Sequence, residues 1–82
     1  MSEFHVAGVY PVSFMDKPFV VGLAAGEFAV GESVTLRKFD GTTVVGRVES
    51  MHIHETESGM RSLVFSDEIS RRVRPGDVIQ SS

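Results

Sequence analysis

The chain has no cysteine, which excludes a disulfide framework, a thiolate metal site and a thiol nucleophile. It has no apolar run near the ~20 residues a membrane-spanning helix needs. The opening Met1-Ser2-Glu3-Phe4-His5 lacks a basic stretch followed by an apolar one, so no signal peptide is read there. A soluble cytoplasmic protein with no membrane partner is the expectation. Positive charge is scarce: 8 Lys and Arg stand against 11 Asp and Glu, a net charge of −3. That balance argues against a protein that follows a nucleic-acid backbone by bulk charge and leaves room only for a local basic patch. No G-x-x-x-x-G-K-S/T stretch occurs, so no phosphate cradle can be argued. Neither a nucleophile elbow nor a Ser–His–acid order is present, and the carboxylates fall in loops, where they stay hydrated. Catalysis is the less favoured reading, and no cofactor is expected.

What is present is enough for one small core. The 82 residues make a single domain, 1–82, with the core expected over about 4–80. A chain of this length buries only ~60% of its unfolded surface, so self-association would help it. The composition, 41% apolar and 23% charged, is that of a globular protein. Nothing repeats and nothing is low-complexity.

Glycines at 22, 26 and 31 punctuate the stretch Val20–Leu36, where a small barrel needs positive φ or close backbone approach to turn its corners. Gly41 and Gly76 are read as structural too. Phe4–Phe14 reads as a first strand with apolar residues on both faces, and Pro11 marks an edge, a barrel margin or a bulge. Met15-Asp16-Lys17-Pro18 is a turn, and Phe19–Leu23 is the second strand. A longer return through Ala24-Ala25-Gly26-Glu27 leads to a short extended segment near Phe28. Ser33–Lys38 alternates, placing Val34 and Leu36 inside and Thr35 and Arg37 outside. Asp40-Gly41 between two β-rich runs predicts a hairpin. In Thr43–His54, Val44, Gly46 and Val48 share one phase while Met51 and Ile53 take the other. A bulge or bend between Gly46 and Met51 reconciles them. After a polar loop, Ser62–Phe65 is a short strand. Ser66–Val73 then reads as one helical turn, capped by Ser66 or Asp67, with Ile69 and Val73 on one side and arginines late. Arg74-Pro75-Gly76-Asp77 is a turn and Val78-Ile79 the closing strand. The sum is an all-β domain, a six-stranded closed Greek-key-type barrel.

Val21-Gly22, Gly26-Glu27-Phe28, Val30-Gly31-Glu32 and Val34-Thr35-Leu36 fit the frame "G-x-V-x-x-G-x-V-x-x-G-D-x-V-x-L", with Glu32 at the usual aspartate. Val48-Glu49-Ser50-Met51-His52-Ile53-His54 fits "V-x-S-I-x-x-H", and Ile69–Ile79 fits a closure ending in "G-D-v-l". Over roughly Phe4–Ile79 the chain resembles the translation-protein β-barrel, the second domain of elongation factor Tu-type GTPases. The second "A-G-D-x-V" turn of that family has no clean counterpart near Met60-Arg61-Ser62. The resemblance implies a non-catalytic module, without a GTPase domain, that binds or scaffolds with a protein or RNA partner.

Three groups of residues are candidates for a site. Arg71, Arg72 and Arg74, with Arg61 nearby, form the basic cluster. Arginine forks suit phosphate or carboxylate, whereas pairing with Asp67, Glu68 and Asp77 would make them an ordinary solvated face. Arg37 and Lys38 beside Phe39 extend that cluster if the fold brings them together. Phe39 and Phe65 flank turns, where an exposed ring stacks on a base or seats in a partner, although the six phenylalanines suit the bulk of the core. His52-Ile53-His54 puts two imidazoles on one strand face, with Glu55, Glu57 or His5 as a further ligand. A small metal-binding protein or metal-dependent enzyme using His52 and His54 is the alternative function. The spacing mimics the opening of a cupin motif, but its glutamate comes too early and no later histidine follows. Self-assembly through the Pro11 edge or the C-terminal strand, giving a homo-oligomer, is a third reading.

Overall fold

The computed structural model describes residues 2–11, 13, 16–52 and 60–81, with His52 described by its backbone alone. Six strands follow in order: β1 (Glu3–Tyr10), β2 (Phe19–Ala25), β3 (Ser33–Arg37), β4 (Thr43–His52), β5 (Met60–Phe65) and β6 (Val78–Ser81). One helical turn, α1 (Asp67–Ser70), lies between β5 and β6. The strands form one antiparallel sheet in the order β1-β2-β5-β4-β3-β6, and β6 pairs back onto β1 to close the ring. Within it the spatial order β6-β3-β4-β5 is a Greek key. The two ends of the chain meet at the closure, where Ser81 N–H donates to the Ser2 carbonyl at 3.0 Å and Ser2 N–H to Ser81 Oγ at 2.8 Å. β6 has β1 on one side and β3 on the other, so the C-terminal strand offers no open edge for a second copy.

The inward set follows from alternation. Val34 and Leu36 are buried on β3 while Arg37 is exposed. β4 carries the anticipated irregularity: its pairing with β5 shifts between Val48 and Ser50, leaving Glu49 as the extra residue. Val48 is buried before the bulge and Met51 packs against the core after it. A second shift in β1, between Val6 and Gly8, does the same for Ala7. β1 ends at Tyr10, short of the expected Phe14, because Pro11 has no N–H to continue the ladder. Val12 and Phe14 lie outside the described residues.

Three rings organise the interior. Phe4 meets Phe28 edge-on at 6.1 Å and Phe65 at 6.0 Å between centroids. Phe28 is buried in the connection between β2 and β3, where no strand forms; the segment is held by this ring and by backbone bonds to β4, from Gly31 N–H to the Val48 carbonyl at 2.7 Å and from Val48 N–H to the Glu32 carbonyl at 3.0 Å. Gly22 allows β1 and β2 to approach: a Cβ there would stand 2.1 Å from the His5 carbonyl oxygen. Ile69 and Val73 are buried on one side of the α1 turn, as their spacing requires. α1 rests on β4 at Gly46, where a Cβ would fall 2.5 Å from Ser66 Oγ and 2.7 Å from Ile69 Cδ1. Ser66 occupies the position before α1 but makes no capping bond to it. Its hydroxyl instead accepts from Arg47 N–H at 3.1 Å, so it ties the turn to β4.

Candidate functional site

The strongest concentration of unpaired chemistry lies where the β3–β4 turn meets the α1–β6 turn. In the first, Lys38 N–H donates to the Thr42 carbonyl at 2.8 Å and Gly41 N–H to the Lys38 carbonyl at 3.0 Å. Gly41 takes φ +92°, which makes the connection a type I turn closed by a left-handed glycine. Asp40 locks it, accepting from the Thr42 hydroxyl at 2.6 Å and the Thr42 amide at 3.0 Å. Those bonds, the hydroxyl first, hold the Asp40 carboxyl below its usual range. Phe39 is left at the tip and is 100% exposed.

In the second turn the same apolar spacing that buries Ile69 and Val73 sends Arg71, Arg72 and Arg74 outward, and all three are exposed. Asp77, only 4% exposed, accepts from Arg74 N–H at 2.9 Å. Lys38 joins the turns. Its ammonium donates to Asp77 Oδ2 at 2.7 Å and to the Arg72 carbonyl.

This contact settles the pairing expected of the arginines. Asp77 is taken by Lys38, and Asp67 lies 3.9 Å from Lys17. The Glu68 carboxyl is held below its usual range mainly by its own backbone N–H and the Ser66 hydroxyl, with Arg71 a lesser influence. Arg71, Arg72 and Arg74 make no ion pair with any described residue. The helix is one turn long, so the arginines fall beyond it rather than stacking on its acids. Arg61 belongs elsewhere: it lies on β5, paired with Gly22 of β2, at the far end of β5 from α1.

Two shallow grooves flank the Lys38 contact. One is lined by Thr43, Val44, Glu68, Arg71 and Arg72. The other is lined by Arg37, Lys38, Phe39, Gly76 and Val78, with Glu3, His5 and Gln80 along its far wall. That wall is braced across three strands: Arg37 donates to Gln80 at 3.5 Å, Gln80 to Glu3 at 3.0 Å, and Glu3 lies 3.3 Å from His5 Nε2. So the fold brings Lys38 onto the arginine turn, with Phe39 next to it in the chain, whereas Arg37 reaches the other way, to Gln80. Phe65, the other turn-flanking ring, is fully buried and cannot stack on a partner.

A third groove, near the N-terminal end of α1, has a different character. Lys17 donates to Glu49 Oε1 at 2.6 Å and lies 3.9 Å from Asp67, with Arg47 and Glu68 also on its walls. The Glu49 bond raises the Lys17 pKa. The groove lining holds two cations, Lys17 and Arg47, against three carboxylates, Glu49, Asp67 and Glu68. Sequence reasoning missed this contact, because Lys17 and Glu49 are 32 residues apart and nothing local links them.

His52 ends β4, its backbone opposite Ser62 on β5; its side chain, and His54, Glu55 and Glu57, lie outside the described residues. His5 is on β1, separated from β4 by β2 and β5 in the sheet order. Among the described residues no three His, Asp or Glu converge on a metal-sized site. No helix among them is long and apolar enough to cross a membrane. No protein-family model, curated protein or solved structure matches the chain.

Proposed function

We propose that this chain is a non-catalytic binding module, a small barrel of the translation-protein type, that engages an anionic protein or RNA partner through Arg71, Arg72 and Arg74. The observation that carries the reading is the Lys38–Asp77 contact, which uses the one buried acid of the region and leaves the arginines unanswered beside an exposed phenylalanine. Arginine and aromatic side chains are the groups on which binding energy concentrates, and an unpaired guanidinium loses nothing internal when it turns to a ligand. The absence of a phosphate loop or nucleophile elbow in the sequence supports the non-catalytic part.

Titration of ¹⁵N-labelled protein with inorganic tripolyphosphate tests this. Amides of residues 37–43 and 71–76 should shift at low salt and return as salt rises, because exposed charge pairs are screened. Equal shifts around Lys17 and Arg47, or none anywhere, would overturn it.

A further inference from the structure

Resting on that reading, we infer that the partner is an acidic peptide segment of another protein, bearing an apolar side chain, rather than a nucleic acid. The charge distribution comes first. The face and its grooves hold five cations, Arg37, Lys38, Arg71, Arg72 and Arg74, against the four carboxylates Glu3, Asp40, Glu68 and Asp77. The other described residues carry three cations, Lys17, Arg47 and Arg61, against the five carboxylates Asp16, Glu27, Glu32, Glu49 and Asp67. Screening confines attraction to about 8 Å at physiological salt, while the molecule measures 30 × 28 × 23 Å. A nucleic-acid strand that runs past the face carries its phosphates onto acidic surface. A short peptide, with carboxylates spaced by uncharged residues, ends where the patch ends.

Lys38 is the one lysine of the face and is consumed internally; the unpaired cations are arginines, whose forks take a carboxylate or a phosphate through two parallel bonds, so the choice between partners rests on the charge distribution and on the apolar surface. The grooves also have apolar floors, Val44 in one and half-buried Val78 in the other. Phe39 stands above the second with its whole surface in water. A leucine or phenylalanine of the peptide covers Phe39 and Val78 while neighbouring carboxylates meet Arg71 and Arg72. This gives an interface an apolar centre with a charged rim.

Fluorescence anisotropy decides it with three fluorescein-labelled probes of equal charge: a Glu-rich peptide carrying one leucine, the same peptide with serine in its place, and an oligouridylate. The leucine peptide should bind tightest. Arg71→Ala with Arg72→Ala should weaken both peptides by about tenfold or more. Phe39→Ala should weaken the leucine peptide by about tenfold and leave the serine peptide unchanged, with the thermal melt of the variant as the check on folding. Tighter binding of the oligouridylate, lost in the same arginine variant, would overturn the peptide and leave the anionic-partner reading standing. Indifference of the leucine peptide to Phe39→Ala would also overturn it. Failure of all three probes, together with no tripolyphosphate shifts, would overturn both.

Discussion

Lys17 and Lys38 each hold a loop against the sheet, at opposite ends of α1, and they leave different surfaces behind. Lys17 bridges Glu49 and Asp67 with both partners substantially in water, 23% exposed against 43% and 63%. Lys38 is 18% exposed and meets a carboxylate exposed by only 4%, while also donating to the carbonyl of Arg72 just past the helix. A cation that binds exposed acids closes its own groove electrostatically. A cation that binds the buried acid beneath an arginine turn does the reverse, because it removes the counter-charge those arginines would otherwise share. In the first groove the lysine is met by exposed acids; beside the second brace, Arg71, Arg72 and Arg74 make no ion pair with any described residue.

The harshest way to break the comparison is to disturb the platform common to both ends of α1. Gly46→Ala places a methyl against Ser66 and Ile69, and overpacking of this kind should cost about 3 kcal/mol, read from the urea midpoint. Removing the lysines separately separates their roles. Lys38→Met leaves the Asp77 carboxylate buried with only the Arg74 amide, for a loss of about 2 kcal/mol. Lys17→Met should lower the midpoint by a visibly smaller amount, since a solvated ion pair contributes little. Equal losses would mean that the two braces do not differ as argued. The mildest test is pH. Asp40 and Glu68 have lowered pKa values in the fold, so their contributions are present above the ordinary carboxylate range and are lost as pH falls below about 4. Asp40→Asn and Glu68→Gln should each flatten the acid limb of the stability curve slightly. Lys17 has a raised pKa, so its brace is constant through neutral pH and is lost only in alkali above about 10.

Features set by a few adjacent residues were legible in the sequence. Asp40-Gly41 specified a turn because only glycine readily takes the positive φ that closes it. Val34 and Leu36 faced inward because a strand alternates. The clash of phase between Val48 and Met51 required a bulge, and one residue of slip at Glu49 supplied it. The outward arginines followed from Ile69 and Val73 being four apart. Phe39 and Phe65, by contrast, had equivalent local settings beside turns, yet one is fully exposed and the other fully buried. Which end of a strand points into a closed interior is not a local property.

By itself, then, the sequence determined the succession of six strands, the inward faces of β3 and of β4 on either side of its bulge, and the Asp40-Gly41 turn, because each depends on sterics and polarity within a few residues. Only the tertiary structure decided which charges neutralise each other. Lys38 reaches Asp77 across 39 residues because β3 and β6 are neighbours in the ring, and that neighbour relation comes from burying all the apolar faces at once. The basic face exists as a face for this reason: ring closure withdrew its counter-charge and set Phe39 beside it.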